Sequence, residues 1–363
     1  MIFGFENSCF SLKRSLIIAD FMKKKYGMLL ALAVTLLSAA TAFSSVNDSI
    51  LLKGISLVHQ ERFDEALILF DSVIAMAPEK PVGYFFKAGV YSNLAGDYRN
   101  LNYSDRFQVF INQAVKIGEE LDKSGKATAE DLFFYGGALG FRGIYKSYYG
   151  DWVGAFKDGL KGRGVLDRAL KMDSTNYDIY YGLGMYDYWR SVKTRILSWL
   201  PFFPDKRRSG IEKVFLAIQK GKFVRDEAKY ALLRVYDNEK DYKNIMYLWE
   251  NYLKAVNQDD PYALYYVGRA QANLDSFPEA IRSFEKILDV YEKSPYYDEA
   301  GKLDVYYNIG VFYYRWGRYE QALAYLTEAK DLAVKLKDRK DVEEAVNNSR
   351  EYYKKALEAS NKK

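Results

Sequence analysis

The chain of 363 residues holds a single cysteine, a single histidine and seven prolines. Cys9 has no intramolecular partner, so no internal disulfide forms and stability comes from packing alone. His59 cannot supply a multi-histidine metal set, and H-E-x-x-H is absent. No G-x-S-x-G elbow and no Walker loop occurs. Gly162-Arg163-Gly164-Val165-Leu166-Asp167 opens like a dinucleotide fingerprint but lacks the third glycine and lies in a helical stretch. Carboxylates are common, yet no pair stands apart, and Asp131 and Glu279 read as helix-start residues favoured by the positive dipole end. The expectation is a non-enzymatic protein with no metal and no cofactor, in which His59 packs or lies on the surface.

Apolar runs long enough to span a membrane are lacking. Lys23-Lys24-Lys25 precedes a largely apolar run from Met28 to Leu37, and then small residues with Ala40 and Ala42 in an A-x-A arrangement. That is the pattern of a signal peptide, and it falls short of the roughly 20 apolar residues a spanning helix needs. Residues 22–42 are therefore expected to be a signal cleaved after Ala42. Residues 1–21 are expected to lie upstream of the true start at Met22. No lipid-modifiable cysteine follows the apolar core, so the expected location is periplasmic or secreted, not lipoprotein. The first 42 residues hold five bases and two acids, which takes the formal charge from +5 to +2 in the remainder. A near-neutral chain argues against a nucleic-acid partner.

Tyrosine is abundant instead, at 33 residues beside 22 phenylalanines. Its apolar ring and hydroxyl suit half-buried helix interfaces and polar grooves. Much of the tyrosine falls into an internal repeat. Residues 47–80 place Gly54, Phe63, Ala66, Phe70 and Pro78 at offsets that residues 261–294 repeat with Gly268, Phe277, Ala280 and Phe284. Residues 303–336 follow with Gly310, Tyr313, Gly317, Tyr319, Ala322 and Ala329, and residues 226–259 are a weaker copy. The small residues let paired helices approach, and the large ones one turn on seal the gap to the next pair.

This pattern resembles the tetratricopeptide repeat, whose unit of about 34 residues is two antiparallel helices. The resemblance implies an all-α protein, an α-solenoid of about seven antiparallel helix pairs wound into a right-handed superhelix. Between residues 81 and 225 the period stretches. The expected organisation is a region with insertions over 43–225, regular repeats over 226–337 and a polar capping helix over 338–363.

Two constellations are candidates for binding. Superposing the repeats on their glycine position aligns Tyr181, Tyr230, Tyr265 and Tyr307 three residues before it, and Arg234 and Arg269 one after. Asn238, Asn273 and, as a variant, Arg315 stand five after. Residues three or four apart share a helix face, so each repeat contributes a stripe. By resemblance, these offsets face a concave groove that binds a protein or peptide partner. The chain departs from the lysine and asparagine clamp of chaperone-binding members, so that ligand is not carried over. A glycan stacked on the tyrosines is the alternative ligand. The second candidate is the insertion holding Ile196, Leu197, Trp199, Leu200, Phe202 and Phe203, followed by Lys206, Arg207 and Arg208. Its prolines stop a helix, and apolar residues beside basic ones suit a membrane-surface or acidic-protein contact. The reading is thus an exported scaffold of the cell envelope, with a glycan-binding or glycan-processing solenoid as the alternative.

Overall fold

The computed structural model describes residues 48–195, 204–337, 339 and 342–361. The expected leader and signal, and Ile196, Leu197, Trp199, Leu200, Phe202 and Phe203, lie outside the described residues. The chain divides into two units, Met1–Leu52 and Lys53–Lys363. Of the first, residues 48–52 are helical.

The second unit is a succession of helix pairs. They are α1 (53–59) with α2 (Phe63–Met76), α3 (Pro81–Gly96) with α4 (Ser104–Lys123), and α5 (Ala129–Tyr148) with α6 (Trp152–Met172). Then come α7 (Ile179–Lys193) with α8 (Arg207–Lys220), and α9 (Arg225–Glu239) with a second helix in pieces. Those pieces are α10 (Tyr242–Leu248), a π turn (Trp249–Leu253) and α11 (Lys254–Val256). The last pairs are α12 (Pro261–Asn273) with α13 (Phe277–Lys293) and α14 (Glu299–Arg315) with α15 (Tyr319–Lys335). A final helix, α16 (Glu343–Ser360), covers the end of the array, its Val346 and Ala356 buried against α15 and its Glu343, Glu344, Lys354 and Lys355 exposed. The seven pairs are the α-solenoid that the repeat implied.

Why the pairs close so tightly follows from the repeat residues. A methyl group on Gly54 would lie 2.5 Å from the Phe70 ring, and one on Gly268 would lie 2.5 Å from Phe284. Ala66, Ala280 and Ala322 are fully buried at the matching place on the second helices. In the fourth pair glycine meets glycine, since a Cβ on Gly184 or Gly210 would sit 2.6 Å from the other's carbonyl oxygen.

Five of the described helix starts are set by side chains that satisfy free backbone N–H groups. Thr128 and Asp131 form a reciprocal capping box, and Asp151, Asp241, Asp260 and Asp298 cap α6, α10, α12 and α14. Six of the turns inside the pairs use one left-handed residue. Gly150 and Gly317 fill that place in two of them, but Glu61, Arg99, Lys240 and Asp275 do so elsewhere, with φ between 54° and 60°.

Candidate functional site at the closure of the array

The successive pairs curl until early repeats meet late ones. The Tyr291 hydroxyl donates to the Asp97 carbonyl at 2.6 Å, and Asn100 Nδ2 donates to the Tyr296 carbonyl at 2.9 Å. The Asp298 N–H donates to the Tyr98 carbonyl at 3.2 Å, and Arg99 pairs with Asp304 at 2.7 Å. His59 stacks on Tyr230 with ring centroids 4.9 Å apart and planes 3° from parallel. Burial holds the imidazole pKa below its ordinary value, so the ring packs as a neutral aromatic.

Closure buries carboxyl groups. Tyr98 donates to Glu61 Oε2 at 2.7 Å, and Tyr181 donates to Glu227 Oε1 at 3.5 Å. Asp260, 8% exposed, accepts from the Ala263 N–H at 2.9 Å. Desolvation raises Glu61 to about 8, Glu227 to about 7 and Asp260 to about 6, and Asp260 in turn adds to the rise at the other two. Asp97 is raised well above the usual carboxyl range by burial and then by Asp260, Glu61 and Glu227. The buried Tyr230 hydroxyl faces Asp260, and after burial that carboxyl acts on it most strongly. Nothing in the sequence marked these acids. Asp260 before Pro261 reads as a helix cap, and Glu61 as an ordinary turn residue.

The sequence-aligned stripe is divided by this closure. Tyr230 is buried against His59, and Tyr181 is tied to Glu227. Tyr265 packs on Phe284 at 5.6 Å, while Arg269 pairs with Asp237 at 3.2 Å. Tyr307 instead meets Tyr352 of α16 at 5.7 Å. Asn238 donates to the Tyr188 hydroxyl and Asn273 to its own helix, both at 2.8 Å, and Arg315 donates to the Ala272 carbonyl at 2.8 Å. Of the basic residues after the insertion, the Lys206 N–H donates to Ser191, Arg207 pairs with Asp205 and Glu239, and Arg208 reaches only Glu212 on its own helix.

Residues 260–333, which form α12 to most of α15, match the family model of the tetratricopeptide repeat. Over this stretch the chain carries tetratricopeptide repeats. Solved structures resemble it at low identity. The APC/C hetero-tetramer Cut9–Hcn1 shares 16% identity over 85% of this chain, with a TM-score of 0.49. The chain spans about half, 55%, of that protein's length. The C-terminal part of a TPR repeat-containing protein from Cytophaga hutchinsonii shares 18% over 78% of this chain and 95% of its own, at TM-score 0.39. Human IFIT1 bound to PPP-AAAA shares 18%, covering 82% of this chain and 69% of its own, at 0.43. At these identities the likeness is one of fold alone. No curated protein sequence matches the chain at a significant level.

Among the described residues, α5 and α6 carry a cluster of exposed apolar side chains. At the tip of α5 and α6, Tyr148 and Val153 are each 67% exposed, Trp152 59% and Phe156 58%. Trp152, Phe156 and Leu160 recur every fourth residue and so share one face of α6. Beside this ledge, Arg234 stacks over Trp189 at 4.7 Å and over Tyr148 at 5.6 Å. Unlike Arg269, it pairs with no carboxylate among the described residues. Among the described residues no group of three acids, histidines or cysteines is placed to hold a metal ion, and no helix is long and apolar enough to cross a membrane.

Proposed function

We propose that the protein is a non-enzymatic scaffold of the cell envelope that binds a protein or peptide partner through the α5–α6 ledge. The exposure of Trp152, Val153 and Phe156 carries this reading. Large apolar side chains clustered on one helix face cost solubility unless a partner covers them. Aromatic rings and arginine are also the residue types that dominate binding energy at protein interfaces. Arg234 adds a guanidinium backed by aromatic rings, suited to an acidic group on the partner. Export rests on the basic, apolar and small-residue succession ending at Ala42, and N-terminal sequencing of the protein recovered from envelope fractions tests it. A mature protein beginning at Phe43 is expected, and one retaining Lys23–Lys25 would point to an anchor.

The ledge is tested by replacing Trp152 and Phe156 together with Ser. A photo-cross-linking residue at Val153 should capture one recurring partner in intact cells, and the double variant should lose that product. Its melting temperature should stay close to that of the parent protein, because exposed side chains contribute little to folding. Unaltered cross-linking in the variant would remove the ledge as the docking surface.

A further inference from the structure

Closure of the array creates a second feature, a cleft of about 300 Å³ distant in sequence from the ledge. It is lined by Glu61 and Tyr98 from the first two repeats, by Asp259 just before the sixth repeat, by Lys286 and Lys293 within it and by Tyr296 after it. The volume is at the lower end of small-molecule sites. The cleft exists only because residues near 61 and 98 are held against residues near 259 and 296.

Three observations narrow what fits there. The rim charges cancel, with Lys286 within 3.3 Å of Asp259 and 3.4 Å of Asp289, and Lys293 within 2.6 Å of Asp289. Burial keeps the Glu61 carboxyl protonated near neutral pH, and the Tyr98 hydroxyl donates to its Oε2. The lining therefore includes an uncharged group that both donates and accepts. Third, the half-buried Tyr296 ring is fixed by contacts with Phe63 at 5.6 Å, Tyr98 at 6.0 Å and Tyr103 at 6.4 Å.

We propose that this cleft binds a neutral saccharide, with a sugar ring against Tyr296 and its hydroxyls hydrogen-bonded to Glu61, Asp259 and Lys293. An ion is disfavoured because the lining offers no net charge to pair with it. A sugar matches because it presents C–H faces to an aromatic wall and vicinal hydroxyls to mixed donors and acceptors. The site is separate from the protein-binding ledge, so either can fail without the other.

Calorimetry and saturation-transfer NMR on the full chain at pH 7, with cellobiose, maltose and N,N′-diacetylchitobiose as probes, test the proposal. At least one should saturate the protein, with protons of one ring closest to tyrosine. Tyr296→Ala and Glu61→Ala should each weaken that binding about tenfold or more, the scale of one lost contact worth roughly 1.4 kcal/mol. Glu61→Gln keeps a neutral donor and acceptor and should bind within about threefold of the parent, a difference below 1 kcal/mol. Lys293→Met alters an exposed side chain and reports on the cleft even where Tyr296→Ala unfolds; it should weaken binding severalfold. No saturation by any of the three sugars up to about 20 mM, a binding energy under about 2.3 kcal/mol, would overturn the proposal. So would sugar binding indifferent to Lys293→Met and Glu61→Ala, or displacement of the sugar by spermidine, which would mark a cation site.

Discussion

At the scale of single residues, the stripe that aligns across the repeats is largely part of the packing. Tyr265 lies against Phe284, a fully buried ring, and Arg269 is held by Asp237. Replacing both with Ala should therefore lower stability by about 2–4 kcal/mol, in the range of large-to-small core changes. Chemical denaturation measures this, and a double variant as stable as the parent would return these residues to the role of free recognition groups. Lys240 makes the opposite case. It is exposed and adopts φ 57° at the α9–α10 turn. Lys240→Gly should stabilise the protein by up to about 1 kcal/mol, since relief of left-handed strain outweighs the extra freedom glycine gives the unfolded chain. Periodicity revealed which helix face the tyrosines occupy. It could not reveal that another repeat arrives to cover that face, because Tyr230 and His59 are 171 positions apart and follow no shared pattern.

Elements were more legible than sites, and for a physical reason. Gly54 with Phe70 and Gly268 with Phe284 are steric locks that recur wherever a pair must close, so the repeat is written in residue size. Proline at the first position of α3 and α12 and aspartate before α12 mark helix starts in the same local way. Long-range caps leave no such trace. Asp178, 3% exposed at the start of α7, accepts from the N–H groups of Lys222, Phe223 and Val224 at 2.8, 2.9 and 3.0 Å. One carboxylate oxygen thus fastens the entry to α9 across more than forty residues. Asp178→Ala should cost about 2–4 kcal/mol, because three backbone donors lose their acceptor in a buried place. Asp178→Asn, which keeps an oxygen there, should cost less than half as much. Thermal melts of the two variants decide it, and equal losses would mean that the side chain's packing, not its acceptor, holds the joint.

For the whole molecule, the seam between early and late repeats sets the dependence of stability on pH. Between about pH 4.5 and pH 8 an unfolded Glu61 has lost its proton while the folded one retains it, and Glu227 behaves alike up to about 7 and Asp260 from about 4 to about 6. The folded state then binds more protons than the unfolded state, so each rise in pH through that window favours unfolding. His59, held neutral by burial, opposes this trend below about pH 6.5, one group against three. Carboxylates held low by partners also act the other way, but only in more acidic solution. Glu119 beside Lys161 and Asp158 beside Arg142 are of this kind, so their loss falls below the ordinary carboxyl range. The protein should accordingly melt several degrees higher at pH 5.5 than at pH 8.5. Amides near 97–100 and 296–298 should exchange faster at the higher pH after correction for intrinsic rates, since ionised Glu61, Asp97, Glu227 and Asp260 repel one another across the seam. Glu61→Gln removes one titrating group while keeping a hydrogen-bond acceptor for Tyr98, and should flatten the slope by stabilising the protein more at pH 8.5 than at pH 5.5. A melting temperature that rises with pH over this range, or a Glu61→Gln variant with the parent's slope, would show that the seam tolerates these charges and that something else holds the early and late repeats together.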